Sequence, residues 1–189
     1  MVALVLGHSS LLRWSAPDGP WTEPDLHLFP QDGHRYEIVD GSLHVTPPPD
    51  ERHEAVVTAV VTTLRGAAPG GWWVCPRLGI EFGASNLVPD VTVLRPRSSG
   101  ASWSDPADVA LVVEVETPAS ARYDRLLKPT LYAEAGIAGY WRIDPAEPRL
   151  TVYRRGTGGA YELDRVVLGA ELVKLDTPYP IRVAPSTWL

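Results

Sequence analysis

Two valine-rich stretches of the sequence carry carboxylates that an ordinary buried strand does not hold. One is LVVEVETPAS, which contains Glu114 and Glu116, and the other is VPDVTVL, which contains Asp90. Burying a carboxylate costs free energy unless a partner neutralises it or donates hydrogen bonds to it. The chemistry that this chain can perform therefore depends on the partner of these acids.

A divalent metal ion is one partner that suits these acids. Side chains alternate between the faces of a strand, so Glu114 and Glu116 share one face, and Asp90 shares a face with Thr92 and Leu94. If the two strands are neighbours about 4.8 Å apart, Asp90 and Glu114 meet around one ion. Hard cations such as Mg²⁺ prefer carboxylate oxygens, water and substrate phosphate, and they polarise a phosphoryl group and acidify a bound water. The alternative is that arginines pair with these acids, or that the acids lie at strand ends in solvent.

The predicted helix after these acids carries a lysine that can assist the same chemistry. Asp124, Lys128 and Tyr132 are spaced four residues apart and lie on one stripe of a helix. Either Asp124 and Lys128 form a surface ion pair worth about 0.3–0.5 kcal/mol, or Lys128 reaches into the acidic site. In the second case its ammonium orients the attacking water or stabilises charge on phosphate. Pro129 disfavours helical geometry at residue 128, which places Lys128 at a helix start or a kink.

The elements before the acids are predicted to be a short helix, a hairpin and a long helix. Thr22 is an N-cap for the short helix within WTEPDLHLFPQDG. RYEIVDGSLHVT contains two alternating runs around Asp40 and Gly41, a pair that favours tight turns. Asp50 is an N-cap for a helix whose apolar residues recur at helical spacing and which ends near residue 66.

The remaining elements predict a mixed sheet. WWVCPRLGIEF and VPDVTVL are strand-like, DVALVVEVE is typical of a central strand buried on both faces, and ARYDRLLKPTLYAEAGI is helical. GYWRID, RLTVYRR, AYELDRVV and the segment near 171–183 complete the sheet. The predicted fold class is α/β, an α+β mixed sheet flanked by helices. We also predict an N-terminal arm over residues 1–20, a loop over 95–108 and a single domain over 21–189.

Composition limits the location and the partners of the protein. The 189-residue chain has a formal net charge of −6 and one cysteine, Cys75. This negative net charge argues against a broad basic surface that binds nucleic acid, although it is compatible with a local basic cleft. One cysteine excludes an internal disulfide and fits a reducing cytoplasm. No apolar run reaches the roughly 18 residues of a membrane span, and the apolar start MVALVLGHSSLLRW is interpreted as a loose arm rather than a signal peptide.

The order and spacing of several stretches resemble the Uma-two family of restriction-endonuclease-like proteins. The stretches are RYEIVDGSL, the proline run before His53, VPDVTVL, LVVEVETPAS, the helix with Lys128 followed by YWRIDP, and VYRR, within about residues 21–155. The family is similar to PD-(D/E)XK nucleases, which implies a mixed sheet flanked by helices and a site that holds Mg²⁺ or Mn²⁺. By this resemblance Asp90 matches the acid of the PD pair and Glu114 the (D/E). Lys128 matches the lysine that the family places on the following helix.

The resemblance also implies accessory residues. Glu37 resembles an acid that joins the site from the N-terminal part, with an exposed hairpin acid as the alternative. His53 matches a family histidine that touches phosphate or shuttles a proton, and a solvated histidine at the helix start is the plainer interpretation. Glu116 occupies the usual place of the motif's lysine, where it binds a second ion or weakens the site. Asp124 is a further candidate beside Lys128.

Three functions remain open for this sequence. The first is a Mg²⁺-dependent endonuclease that hydrolyses phosphodiester bonds of nucleic acid, with DNA as substrate and a homodimer implied by the resemblance. The second is a non-catalytic binding or regulatory protein on the same fold. The third is a glycoside hydrolase, because Glu114 and Glu116 would lie roughly 6–7 Å apart, near the lower limit for an inverting pair. No membrane partner is expected.

Overall fold

The structure is a computed structural model that describes residues 17–96 and 103–189. Its strands, in chain order, are β1 (Arg35–Val39), β2 (Ser42–Thr46), β3 (Trp73–Pro76), β4 (Gly79–Phe82), β5 (Ser85–Leu87), β6 (Val91–Leu94), β7 (Trp103–Ser104), β8 (Val109–Val115), β9 (Gly139–Asp144), β10 (Arg149–Arg155), β11 (Tyr161–Leu168), β12 (Val173–Leu175) and β13 (Ile181–Val183). Its α-helices are α1 (Glu23–Leu26), α2 (Glu51–Ala67) and α3 (Lys128–Glu134). Short 3₁₀ turns cover Pro106–Asp108 and Pro185–Trp188, and a π-helical turn covers Tyr123–Leu127 directly before α3.

The central layer is a mixed six-stranded sheet with the order β11-β10-β9-β8-β6-β3. β8 and β9 are parallel, and the π-helical turn and α3 form the crossover that two parallel strands require. The other neighbouring pairs of this sheet are antiparallel. A second sheet has the order β2-β1-β5-β4-β7. The predicted α/β class, an α+β mixed sheet flanked by helices, is confirmed.

Apolar residues pack on both faces of the six-stranded sheet. On one face, Val60 and Leu64 of α2 belong to the same buried cluster as Val113 of β8. On the other face, Leu131 of α3 belongs to a second cluster with Val112. Successive residues of β8 therefore enter different clusters, as expected for a strand that is buried on both faces. This burial fixes the direction in which each acid at the end of β8 points.

The predicted hairpin, long helix and first N-cap are confirmed. The turn between β1 and β2 has a positive φ at both Asp40 (45°) and Gly41 (75°), which a two-residue hairpin turn matched to the strand twist requires. Asp50 caps α2, because its carboxylate accepts a hydrogen bond from the backbone N–H of His53 at 2.8 Å. Thr22 is the N-cap of α1.

Two predictions about strands are wrong. WWVCPRLGIEF is not one strand, because Arg77 has a positive φ of 52°, and the chain turns there from β3 into β4 of the other sheet. β5 is absent from the predictions, since Ser85 and Asn86 give no apolar alternation. The segment near 171–183 forms a separate two-stranded sheet, β12 with β13. These short strands pair locally while Leu175 and Ile181 join the cluster beneath α2.

Residues 1–16 and 97–102 lie outside the described residues, so most of the predicted arm over 1–20 is outside them too. In the predicted loop over 95–108, Trp103–Ser104 forms β7, which pairs with β4. Among the residues that are described, no helix has the length and apolar character needed to cross a membrane. The single domain over 21–189 stays a prediction.

Candidate active site

The acids of the two valine-rich stretches lie side by side. β6 and β8 are antiparallel neighbours, with Val91 opposite Val113. Asp90 stands directly before β6, and its Oδ2 accepts a hydrogen bond from the backbone N–H of Val115 at 2.8 Å. The carboxylate of Asp90 therefore extends the strand pairing at the C-terminal end of β8, next to Glu114.

Glu114 is almost completely buried, at 1% exposure. Its Oε1 accepts hydrogen bonds from the ammonium of Lys128 at 2.9 Å and from the hydroxyl of Tyr132 at 2.8 Å. Both donors belong to α3, which starts at Lys128 after the π-helical turn, as Pro129 predicts. A π-helical turn rotates the following residues relative to a regular helix, and here Lys128 faces the acids instead of solvent.

Two further carboxylates surround the ammonium of Lys128. Glu37 of β1 and Asp124 of the π-helical turn each have an oxygen 3.6 Å from its Nζ. The backbone N–H of Val88 donates to Glu37 Oε1 at 2.7 Å and holds this side chain in place. Both oxygens of Asp124 are buried and have no hydrogen-bond partner within the described part of the chain. Asp124 therefore has acceptor capacity to spare.

Arg35 bridges the two central acids and is absent from the predicted site residues. Its guanidinium donates a hydrogen bond to Asp90 within an ion pair, and its Nη1 lies 3.8 Å from Glu114 Oε2. Arg35 and Glu37 are two residues apart on β1 and so share a face of that strand. This spacing in RYEIVDG is the signal by which the sequence could have indicated Arg35.

His53 contacts Asp90 from the first turn of α2. Its Nε2 lies 3.2 Å from Asp90 Oδ2, and its Nδ1 lies 3.5 Å from Glu54 Oε1. The interpretation of His53 as a solvated histidine is wrong, because the residue is only 3% exposed. The Asp50 cap fixes the start of α2 over the end of the sheet, and this placement buries the ring.

Glu116 is held by arginines. Arg125 donates to both of its oxygens, at 2.7 and 2.6 Å, and Arg142 Nε lies 3.0 Å from Oε1. β8 ends at Val115, one residue earlier. The predicted second-ion role of Glu116 gains no support from this arrangement, because the arginines already neutralise its carboxylate.

Burial and charge shift the pKa values of the central groups in opposite directions. Burial alone would raise the pKa of Asp90, but Arg35, His53 and Lys128 together hold it below its ordinary value. Burial would also lower the pKa of Lys128, yet Glu114 and the neighbouring carboxylates raise it, so Lys128 stays protonated. For Glu114 burial dominates and raises the pKa, against the attraction of Lys128. Burial lowers the pKa of His53, but its hydrogen bond to Asp90 outweighs this and raises it.

Two cavities open on either side of Arg35. One has a volume of about 220 Å³, and its lining includes Lys128 and Asp124. The other has a volume of about 230 Å³, and its lining includes His53 and Asp90. Arg35 lines both cavities. Glu37 and Asp124 line the first cavity, and Asp90 lines the second.

We call the charged residues around Asp90 and Glu114 the acidic cleft. Its buried acids are Asp90, Glu114, Glu37 and Asp124. They outnumber the permanent cations Arg35 and Lys128, and the Asp124 oxygens accept no hydrogen bond from the described residues, so the donor set fits a hard divalent cation in type. Within residues 17–96 and 103–189, however, no three His, Cys, Asp or Glu side chains are grouped closely enough to hold a metal ion. Arg35 and Lys128 are bonded to Asp90 and Glu114.

Comparisons with known proteins agree with this fold. The model of a family named Uma2, with the description "Putative restriction endonuclease", matches residues 23–184. The structure is similar to the crystal structure of a putative nuclease belonging to DUF820 from Anabaena variabilis, with a TM-score of 0.69 and 20% sequence identity. That similarity covers 89% of this chain and 97% of the other. No curated protein matches the sequence. At this identity the structural similarity establishes the fold, and it agrees with the mixed sheet flanked by helices that the sequence predicted.

Proposed function

The chain belongs to the Uma2 family, and from this premise we propose that it is a divalent-metal-dependent endonuclease that hydrolyses phosphodiester bonds, with DNA as its substrate. The observation that supports the proposal is the convergence of Asp90 and Glu114 from neighbouring strands beside the ammonium of Lys128. Asp90 and Glu114 are the positions that resemble the acids of the PD-(D/E)XK motif, and Lys128 resembles the lysine that the Uma-two pattern places on the following helix. Ligand sites in α/β sheets also favour the C-terminal ends of parallel strands, where the acidic cleft lies.

In this proposal, some residues of the acidic cleft bind the metal ion and others stabilise charge on the substrate. Asp90 and Glu114 would hold Mg²⁺ or Mn²⁺, which supplies a Lewis acid and a bound water of lowered pKa. The ammonium of Lys128 would stabilise the negative charge that develops on the scissile phosphate. His53, bonded to Asp90 Oδ2, fixes this carboxylate and acts as a positioning residue.

Arg35 has two roles in this proposal. Bonded to Asp90 and close to Glu114, it lowers the electrostatic cost of burying both acids. Cavities on both sides give its guanidinium room to leave the acids. Because a guanidinium matches two oxygens of a phosphate with its planar fork, a displaced Arg35 is well placed to bind the substrate backbone.

A non-catalytic nucleic-acid-binding protein is the second candidate function. The bond between Arg35 and Asp90, together with the absence of a three-ligand group among the described residues, favours it. The glycoside hydrolase based on the pair of Glu114 and Glu116 is no longer supported, because Arg125 and Arg142 neutralise Glu116.

Cleavage of supercoiled plasmid separates the two candidates. We expect the purified chain to convert the plasmid to nicked and linear forms with Mg²⁺ or Mn²⁺ and not with EDTA. Asp90→Asn removes one negative ligand and should slow cleavage by at least about a hundredfold. Asp176→Asn is the matched control, because that side chain is 72% exposed and pairs with Lys174 at the surface. Binding of plasmid without cleavage under every metal condition would favour the non-catalytic function.

Two further features complete the proposal. A homodimer would bring two acidic clefts to the two strands of a duplex, and sedimentation of the full chain tests it. A reducing cytoplasm is the proposed location, since Cys75 is a free cysteine and such thiols persist in reducing compartments.

A further inference from the structure

A cavity of about 270 Å³ lies at the opposite end of the central strands from the acidic cleft. Arg95, Arg154 and Arg155 line it, and we call it the arginine pocket. Its floor includes Leu111 and Gly139, the residues that pair at the N-terminal ends of β8 and β9. Glu114 is three residues further along β8, which corresponds to about 10 Å. The arginine pocket is therefore a separate site.

Backbone carbonyls hold two of these arginines in position. Arg95 Nη1 donates to the carbonyl of Val109 at 2.5 Å and to that of Ala107 at 3.2 Å. Arg155 Nε donates to the carbonyl of Ala133 at 2.6 Å. A carbonyl carries no net charge, so each guanidinium keeps its full positive charge and its remaining N–H groups. No Asp or Glu is among the described residues that line the arginine pocket.

The third arginine has a partner that competes only weakly with a ligand. Arg154 Nε lies 3.1 Å from Asp164 Oδ2, and the side chains are 45% and 30% exposed. An ion pair with this exposure contributes about 0–1 kcal/mol, because water screens it. Arg154 can therefore turn its free N–H groups towards an anion in the cavity at little cost.

From these contacts we propose that the arginine pocket binds a phosphate group, either free or as the monoester of a nucleotide. A guanidinium presents parallel N–H donors that match the oxygens of phosphate. Arg95 and Arg154 line the cavity, whereas the guanidinium of Arg155, the next residue of β10, points to the opposite face and bonds to α3. Small-molecule sites usually measure about 300–1,000 Å³, so a volume just below that range suits a small anion. Trp72 lines one side of the arginine pocket and offers an apolar surface to the nucleoside of a monoester.

The inference does not rest on the nuclease proposal, and amide chemical shifts test it directly. We would titrate the ¹⁵N-labelled chain with inorganic phosphate, with deoxyadenosine 5′-monophosphate and with acetate, at constant ionic strength. The expected result is a saturable shift of the Gly139 amide with phosphate and with the nucleotide, and not with acetate. Tighter binding of the nucleotide would show that the nucleoside also contacts the cavity, whereas equal affinity would identify the phosphate group alone as the ligand.

Charge-removing variants complete this test. Arg154→Gln should weaken phosphate binding by about tenfold or more, because it removes a charged donor. Arg165→Gln is the control, since Arg165 is an exposed arginine of β11 that does not line the cavity. No shift with phosphate, an equal shift with acetate, or equal weakening by Arg165→Gln would overturn the proposal.

Discussion

The two ends of β8 and β9 hold charged side chains in different ways. At the C-terminal end, in the acidic cleft, Lys128 bonds to Glu114 and Arg35 bonds to Asp90. At the N-terminal end, in the arginine pocket, Arg95 and Arg155 bond to backbone carbonyls. The first arrangement neutralises buried charge, whereas the second fixes the position of charge through neutral carbonyl groups.

This difference determines what each end contributes. Breaking a buried ion pair leaves an uncompensated charge and costs about 3–5 kcal/mol, so residues of the acidic cleft contribute strongly to folding. Arg154 is 45% exposed, so water solvates its partner Asp164 when Arg154 is replaced. Substitutions in the acidic cleft should therefore reduce stability, and substitutions in the arginine pocket should chiefly reduce ligand binding.

The largest effect on stability is expected for Lys128→Met. Three carboxylates, from Glu114, Glu37 and Asp124, would lose the ammonium that they share. We expect the free energy of unfolding in urea to fall by about 3–5 kcal/mol. Lys174→Met changes the other lysine of the chain, whose side chain is 65% exposed, and should cost less than about 0.5 kcal/mol. Equal losses in the two variants would refute the contrast between buried and exposed charge.

Asp90→Asn should have the next largest effect, with a defined dependence on pH. Arg35 and the neighbouring cations hold the pKa of Asp90 below its ordinary value of 3.8, against the opposing effect of burial. A lowered pKa stabilises the fold above pH 3.8, and this contribution is lost as the pH falls below that value. The variant should therefore be less stable than the wild type by about 2 kcal/mol at neutral pH, and the difference should shrink in acid. A difference that grows in acid would contradict the assignment.

Arg35→Met tests whether the guanidinium competes with a metal ion. Removal of the cation from Asp90 and Glu114 should strengthen Mn²⁺ binding by about tenfold, because the ion no longer displaces a bonded charge. Electron paramagnetic resonance of free Mn²⁺ measures this affinity. Arg77→Met is a suitable control, since Arg77 pairs with half-exposed Glu54. Weaker Mn²⁺ binding by Arg35→Met would show that Arg35 supports the metal site.

The smallest effect is expected for Arg125→Ala. Arg125 is 49% exposed, and Arg142 also contacts Glu116, so Glu116 keeps one cationic partner after the change. The free energy of unfolding should fall by less than about 1 kcal/mol. A loss as large as that of Lys128→Met would mean that Glu116 belongs to the same buried charge network as Glu114.

The sequence predicted the features of the acidic cleft that depend on alternation along a strand. Val113 and Val115 enter one apolar cluster and Val112 the other, so the valines fix the faces on which Glu114 and Asp90 point. Pro129 disfavours helical geometry at the residue before it, and this effect predicted that Lys128 lies at the start of α3. These features are local, because each follows from a residue and its neighbours within about two positions along the chain.

The features that the sequence did not predict depend on distant partners. Arg35 lies 55 residues before Asp90 in the chain, and only the folded sheets bring them together. The turn at Arg77 requires a positive φ that is uncommon for arginine, so the apolar stretch around it gave no sign of a change of sheet. Glu116 follows the alternation of Glu114, but Arg125 and Arg142 decide its environment.

Binding of Mn²⁺ to the wild type and to Asp90→Asn tests the central claim most directly, which is that acids from β6 and β8 jointly hold a divalent cation. We expect the wild type to bind Mn²⁺ at a saturable site, Asp90→Asn and Glu114→Gln to bind it more than about tenfold less tightly, and Asp176→Asn to bind it as the wild type does. Failure of the wild type to bind Mn²⁺, or equal affinity in Asp90→Asn, would contradict the claim.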